Sequence, residues 1–144
     1  MADVRQLFAC AIVAAWSIAT AATGDAPWIY LGDTDSATLY FDPSSVRVVG
    51  DRKRVWRLFD QKQRAAEDRV KSGKALIEFD CTGGTYHYVR TMYFGGRMGH
   101  GKYLGGAGEQ PAEFIGPGSM VAYLARRVCE PTSFSGPSGS PANR

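Results

Sequence analysis

Metal-ligand patterns are missing from this chain. It contains two histidines and three cysteines, and no H-x-x-x-H or C-x-x-C spacing occurs among them. Zinc sites in proteins require three or four such ligands, usually at short and regular spacings. We therefore predict neither a metal site nor a cofactor.

Long hydrophobic runs are also absent. The apolar stretch from Leu7 to Ala19 is shorter than the about 20 residues that a membrane-spanning helix needs. Arg5 precedes it, and the small residues Ala19-Thr20-Ala21 follow it where a cleavage site belongs. We interpret residues 1–21 as an export signal peptide, with a buried N-terminal helix as the alternative. No membrane span is expected once the signal is removed.

A lipid anchor is not expected. Cys10 ends the segment Leu7-Phe8-Ala9-Cys10, which resembles a lipid-attachment box. The apolar segment lies mostly after Cys10, so cleavage at that position would leave no apolar core for export. We predict an exported protein, periplasmic or secreted, that is not lipid-anchored.

The chain has only a small excess of positive charge. The net charge is +3, and removal of the signal leaves it unchanged because Asp3 and Arg5 leave together. So small an excess requires no polyanionic partner, and we expect no specific nucleic acid. With 144 residues, of which 44% are hydrophobic, the chain can form one folded domain. We place the domain at 22–130 and interpret 131–144 as a disordered Pro/Ser/Gly tail.

Two cysteines remain after the signal, Cys81 and Cys129. An even count in an exported chain predicts a disulfide. Closing a loop of about 50 residues would stabilise the fold by roughly 4 kcal/mol in the chain-entropy model. Two separate buried thiols are the alternative, and an oxidising compartment disfavours it.

Aromatic and β-branched runs separated by turn residues predict the strands. These runs lie at 28–32, 37–42, 46–49, 52–60, 74–81 and 85–94. The run at 52–60 is apolar on both faces, which indicates a central strand. In the last run we expect Tyr86, Tyr88, Met92 and Phe94 on one face, since alternate strand residues share a face. The turns predict an antiparallel meander of about five to six strands.

One short helix is predicted at the C-terminal end of the domain. Ser119 is its expected N-cap. Its apolar stripe has the helical spacing i, i+3, i+4, i+7 and consists of Val121, Leu124, Ala125 and Val128. Cys129 lies on the same side, so the helix would be tied back to the sheet by the disulfide. The predicted fold class is therefore α+β.

Two segments are predicted to be irregular. The polar segment 61–73 indicates a solvated connection in which 64–70 could form a short helix. The glycine-rich segment 95–108 predicts a mobile loop. Within it, Gly96 to Lys102 has the spacing of a phosphate-binding loop, but Tyr103 replaces the Ser or Thr that holds magnesium. Because no helix can follow, we predict no nucleotide binding.

Two groups of polar residues are candidates for function. The first is a basic cluster at the start of the third long strand run: Arg52, Lys53, Arg54 and Arg57. It indicates either a solvated edge or a weak surface for an anionic glycan, a lipid headgroup or an acidic protein loop. The second is a histidine, His87 or His100, with a carboxylate for acid–base hydrolysis. The candidate carboxylates are Glu78, Glu109 and Glu113.

The order of several short motifs is similar to that of a known family. The motifs are Trp28-Ile29-Tyr30-Leu31-Gly32, LYFDPSSV at 39–46, VWRLFD at 55–60, EFDC at 78–81 and IGPGS at 115–119, followed by Cys129. Together they resemble the surface-adhesin protein E family of small exported proteobacterial domains. The resemblance implies an antiparallel sheet with a C-terminal helix, binding to host matrix and plasma proteins, and a homodimer. No ligand-binding residue carries over.

These observations together predict an exported, non-enzymatic binding protein that contacts host proteins or envelope components. Its partner would be a protein or an anionic surface ligand. A small periplasmic or secreted hydrolase that uses His87 or His100 is the alternative.

Overall fold

The computed structural model describes residues 27–62 and 69–130. Within these ranges the strands are β1 (Ile29–Asp33), β2 (Ala37–Val49), β3 (Arg52–Gln61), β4 (Ser72–Asp80), β5 (Thr85–Phe94), β6 (Tyr103–Ala107) and β7 (Glu113–Phe114). A 3₁₀ turn lies at Arg97–Gly99, and helix α1 spans Met120–Cys129. Three predicted segments fall wholly or partly outside the described residues: the signal peptide at 1–21, the short helix at 64–70 and the tail at 131–144.

The strands form one antiparallel sheet in the order β1-β2-β3-β4-β5-β6. The short strand β7 pairs with the first residues of β5, and β6 pairs with its last residues. The predicted α+β meander with one C-terminal helix is confirmed, and β3 is central as expected. None of the helices in the described ranges is long and apolar enough to cross a membrane.

Helix α1 covers one face of the sheet, which we call the inner face; the opposite face is the outer face. The hydrophobic core lies on the inner face and comprises Leu31, Ala37, Leu39, Phe41, Val55, Ala75, Ile77, Phe79, Leu124, Ala125 and Val128. The predicted helical stripe is confirmed: three of its residues are buried, and Val121 packs partly buried against the core. Ser119 is the N-cap, and its hydroxyl accepts a hydrogen bond from the amide of Ala122.

The end of the helix is held to the sheet at two points. Cys81 and Cys129 form the predicted disulfide, with their Cα atoms 5.6 Å apart. Lys53, on the inner face of β3, donates a hydrogen bond from Nζ to the carbonyl of Val128 at 3.0 Å. The carbonyls of a last helical turn lack partners within the helix, so a cation there stabilises the helix end.

The expected alternation along β5 is wrong. Ile77 pairs with Tyr88, but the residue before it in β4, Leu76, pairs with Arg90. Val89 is therefore the extra residue of a β-bulge, and a bulge reverses which side chains face the core. Tyr86 and Tyr88 pack on the inner face, whereas the later residues Arg90, Met92 and Phe94 take the outer face.

The expectation of a mobile loop at 95–108 is also wrong. Residues 103–107 form β6, and the preceding turn is fixed by two buried polar side chains. Asp60 Oδ1 accepts a hydrogen bond from the amide of Met98 at 3.0 Å. Ser72 Oγ donates to the carbonyl of Gly96 at 2.6 Å and accepts from the amide of Gly99 at 2.7 Å. These amides, which a phosphate-binding loop would present to phosphate, bond to the protein itself.

Candidate ligand-binding face

The outer face contains a recess, which we call the tryptophan recess. Its volume is about 260 Å³, and its lining residues are Trp28, Asp42, Trp56, Lys74 and Met92. Strand pairing brings them together: Asp42 of β2 lies opposite Trp56 of β3, and Lys74 of β4 lies opposite Met92 of β5. Trp28 lies just before β1. Side chains from separate parts of the chain thus meet on one surface.

Two cations lie over aromatic rings of this part of the outer face. Lys74 lines the recess, whereas Arg90 contacts the ring of Trp56 without being one of the lining residues. The ammonium of Lys74 is 5.8 Å from the ring centroid of Trp28 and 5.4 Å from that of Phe94. The guanidinium of Arg90 is 5.0 Å from the ring centroid of Trp56. Such cation–π contacts orient the rings and the charges relative to each other. Among the described residues neither cation makes an ion pair with a carboxylate.

Asp42 supplies the carboxylate of the recess. It is buried, and its Oδ1 accepts hydrogen bonds from the amide and the hydroxyl of Ser44, at 2.9 and 2.6 Å. This arrangement is an Asx turn, which the Asp42-Pro43-Ser44 sequence favours. Within the described ranges no hydrogen bond reaches Oδ2. Asp42 therefore retains acceptor capacity at the recess.

A second group of polar residues, which we call the glutamate cluster, lies on the outer face of β3, β4 and β5. It comprises Glu78, Arg52, Arg54, His87 and Glu109. Glu78 is buried and accepts from Arg54 Nε at 2.5 Å and from Arg52 Nη1 at 3.3 Å. Burial alone would raise the pKa of the Glu78 carboxyl, but the hydrogen bond and charge of Arg54, then the hydrogen bond from Arg52, hold that pKa below its usual range. The carboxylate is therefore ionised and neutralised by its arginines.

His87 joins this cluster, whereas His100 does not. His87 Nε2 lies 3.2 Å from Glu109 Oε1 and 3.9 Å from Glu78 Oε1. The structure thus brings together one of the histidine–carboxylate combinations that the sequence left open. His100 is exposed in the turn after residue 99. Glu113 instead accepts from the Tyr86 hydroxyl at 2.9 Å.

The hydrogen bond to Glu113 affects the ionisation of Tyr86. Burial first, and then this hydrogen bond, raise the pKa of Tyr86 to about 12. The phenol therefore stays protonated and remains a hydrogen-bond donor near neutral pH. Glu113 and Tyr86 act as a pair that joins β7 to β5.

The basic cluster predicted from the sequence is divided between the two faces of the sheet. Arg52 and Arg54 lie on the outer face with Glu78. Lys53 bonds to the helix end on the inner face, and the Arg57 guanidinium lies 5.3 Å from the Tyr88 ring centroid there. Consecutive strand residues point to opposite faces, so these four residues do not form one continuous surface.

Sequence reasoning missed the tryptophan recess. One signal was available in the sequence: Trp56 lies in the run at 52–60, which is apolar on both faces, so an aromatic side chain was expected on each side of this strand. The bulge at Val89 concealed the contribution of Met92 and Arg90, because regular alternation assigned Met92 to the wrong face. No group of three or more His, Cys, Asp or Glu side chains in the described ranges is placed to hold a metal ion.

Comparison with known proteins identifies relatives of the fold. A family model described as surface-adhesin protein E matches residues 28–130. The structure of Haemophilus influenzae protein E is similar, with a TM-score of 0.56 and 16% identity, over 74% of this chain and 86% of that one. Its crystal form II gives a TM-score of 0.53 at 15% identity, over 63% and 79% of the two chains. No curated protein sequence matches the chain.

Proposed function

The chain belongs to the surface-adhesin protein E family, and from that premise we propose that it is an exported, non-enzymatic binding protein whose ligand docks on the outer face of the sheet. Its ligand would be a host matrix or plasma protein, or a component of the cell envelope. We further propose that the protein acts in the periplasm or as a secreted protein, without a lipid anchor.

The tryptophan recess is the observation that supports this proposal. The inner face is covered by α1. The turn at Arg97–Gly99 covers the outer face at Asp60 and Ser72, and the rest of the outer face, which includes the recess, remains open to a partner. Tryptophan and arginine are enriched among the residues that contribute most to binding energy. Trp56 and Arg90 stack on each other here, 5.0 Å from guanidinium carbon to ring centroid, and Arg90 is exposed.

The cations at the tryptophan recess favour an anionic ligand. Three acids on the outer face are buried: Glu78 and Asp60 are paired with arginines, and Asp42 accepts hydrogen bonds from Ser44. Lys74 and Arg90, by contrast, lie at aromatic rings without a carboxylate partner among the described residues. A partner that offers a carboxylate or sulfate beside an apolar group would complement both features.

Replacing Trp56 by Ala or Arg90 by Ala is therefore expected to weaken binding to solubilised basement-membrane matrix by about tenfold or more. Each change removes one member of a stacked pair, and about 1.4 kcal/mol corresponds to tenfold. Binding of the purified protein would be measured by biolayer interferometry, and the melting temperature of each variant would verify folding.

Matched controls lie on the helix. Tyr123 and Arg127 form an equivalent stacked pair, 5.0 Å from guanidinium carbon to ring centroid. Tyr123→Ala and Arg127→Ala should leave binding unchanged. If the helix variants weakened binding while Trp56→Ala and Arg90→Ala did not, the assignment of the outer face would be wrong.

A hydrolase remains the second candidate, because His87 Nε2 lies 3.2 Å from Glu109 Oε1, which is within reach for acid–base chemistry. Open space adjoins this pair and is lined by Arg52, His87, Glu109, Gln110, Pro111 and Ala112. A binding protein should retain matrix binding when both His87 and His100 are replaced by Gln. Hydrolysis of ester or phosphodiester substrates that disappears in His87→Gln but persists in His100→Gln would favour the enzyme.

A further inference from the structure

We propose that the tryptophan recess binds a single acidic sugar residue, a hexuronate, carried on a polysaccharide or a glycan. This inference rests on the proposed function, because it requires the outer face to be the binding surface. It adds the chemical class of the ligand. The size of the recess, its lining chemistry and its position in the sheet support the inference.

The size of the recess fits one substituted ring. Its volume is about 260 Å³, below the range of about 300–1,000 Å³ that is typical of sites for drug-sized ligands. The walls include two indole rings, which are flat and rigid. A single pyranose ring, with the rest of the glycan extending into solvent, is an occupant of suitable size.

The lining groups match the three chemical groups of a hexuronate. The C–H groups of a pyranose carry a slight positive charge. They would pack on the indole faces of Trp28 and Trp56, where the electrostatic potential of the ring is negative. The carboxylate would accept a charge-assisted hydrogen bond from Lys74, which lines the recess. A ring hydroxyl would donate to Asp42 Oδ2, to which no protein group donates within the described ranges.

The position of the recess disfavours an extended peptide. Peptides that bind to sheets usually add a strand at an edge, where backbone groups are unpaired. The recess instead lies on the face of β2 to β5, with Trp28 at its β1 side, and each of these four strands has a neighbouring strand on both sides. Because most backbone groups of these strands are already paired, side chains would make most of the contacts to a ligand there, as suits a compact sugar.

The test is a titration of the purified protein with two uronate tetrasaccharides. Hyaluronan tetrasaccharide contains the glucuronate of animal matrix, and alginate tetrasaccharide contains the uronates of a bacterial polysaccharide. Chitotetraose is the neutral control, and a glutamate-rich peptide represents an acidic protein partner. We expect a uronate tetrasaccharide to shift the indole N–H signals of Trp28 and Trp56 in NMR spectra, and chitotetraose to leave them unchanged.

Variants make the assignment specific. Lys74→Met keeps the aliphatic stem but removes the charge, and it should weaken uronate binding by about tenfold or more. Lys102→Met is the matched control, since Lys102 is an exposed lysine that is not among the residues lining the recess, and it should change nothing. Binding of the hyaluronan or of the alginate tetrasaccharide alone would support the inference and identify the source of the ligand.

Other outcomes would overturn the inference. These are equal binding of chitotetraose, binding of the acidic peptide in place of both uronates, or an equal loss in Lys74→Met and Lys102→Met. If no uronate bound while Trp56→Ala still abolished binding to matrix, the sugar assignment would be wrong and the proposed binding face would stand. If Trp56→Ala also had no effect on matrix binding, both proposals would fail.

Discussion

Replacing both Cys81 and Cys129 by Ser is expected to lower the free energy of unfolding by about 2–5 kcal/mol, the usual cost of losing a native disulfide in a small exported domain. The bond joins the turn after β4 to the last residue of α1 across 48 residues. Without it the unfolded chain gains conformational freedom. The helix then depends on its buried stripe and on the hydrogen bond from Lys53.

Urea denaturation of the double variant and of the parent measures this effect. Limited proteolysis should cleave the variant first near α1, because the helix loses its covalent connection to the sheet. Lys53→Met is a useful comparison, since it removes the other attachment of the helix end and leaves the disulfide intact. Two reactive thiols per chain in the denatured, unreduced exported protein would show that Cys81 and Cys129 are not paired.

Replacing Phe79 by Ala is expected to destabilise the protein by about 3–5 kcal/mol, as for other large-to-small changes in a well-packed core. Phe79 has no exposed surface. Its ring centroid lies 6.3 Å from that of Tyr86, and Lys53 is its partner across the strands. Truncation would leave a cavity between the sheet and the helix that the rigid strands cannot close.

Phe114 provides the matched control. It is 84% exposed on the short strand β7, so Phe114→Ala should change the free energy of unfolding by no more than about 0.5 kcal/mol. Urea denaturation of both variants gives the comparison. Equal destabilisation by the two changes would contradict the placement of Phe79 in the core and of Phe114 on the surface.

Local sequence signals were sufficient for the helix and the disulfide. The N-cap at Ser119 and the apolar stripe that ends at Val128 depend on residues within a few positions of one another. The pairing of Cys81 with Cys129 followed from the even number of cysteines after the predicted signal peptide, together with the expected export to an oxidising compartment. These features do not depend on strand register, and for that reason they could be predicted.

Register was the point at which prediction failed. Regular alternation cannot reveal a β-bulge, because the extra residue is defined by the partner strand. Val89 therefore reversed the expected faces of Met92 and Phe94. The prediction of a mobile loop at 95–108 failed for a related reason. The structure of this segment depends on Asp60 and Ser72, which are distant in sequence from the turn that they hold.

The candidate site was only partly predictable for the same physical reasons. The combination of His87 with a glutamate was among the stated alternatives, but the basic cluster was treated as one surface. In the structure it is divided because Lys53 and Arg57 face the helix. The tryptophan recess requires the pairing of four strands and the bulge, and neither is evident from spacing.

Fluorine NMR of protein labelled with 5-fluorotryptophan tests the position of the binding surface most directly. Trp28 and Trp56 are the two tryptophans that remain after the predicted signal peptide, so two signals report on the recess. We expect both to shift or broaden when solubilised basement-membrane matrix is added. Two unchanged signals, while the labelled protein is retained on the same matrix, would show that the ligand binds elsewhere.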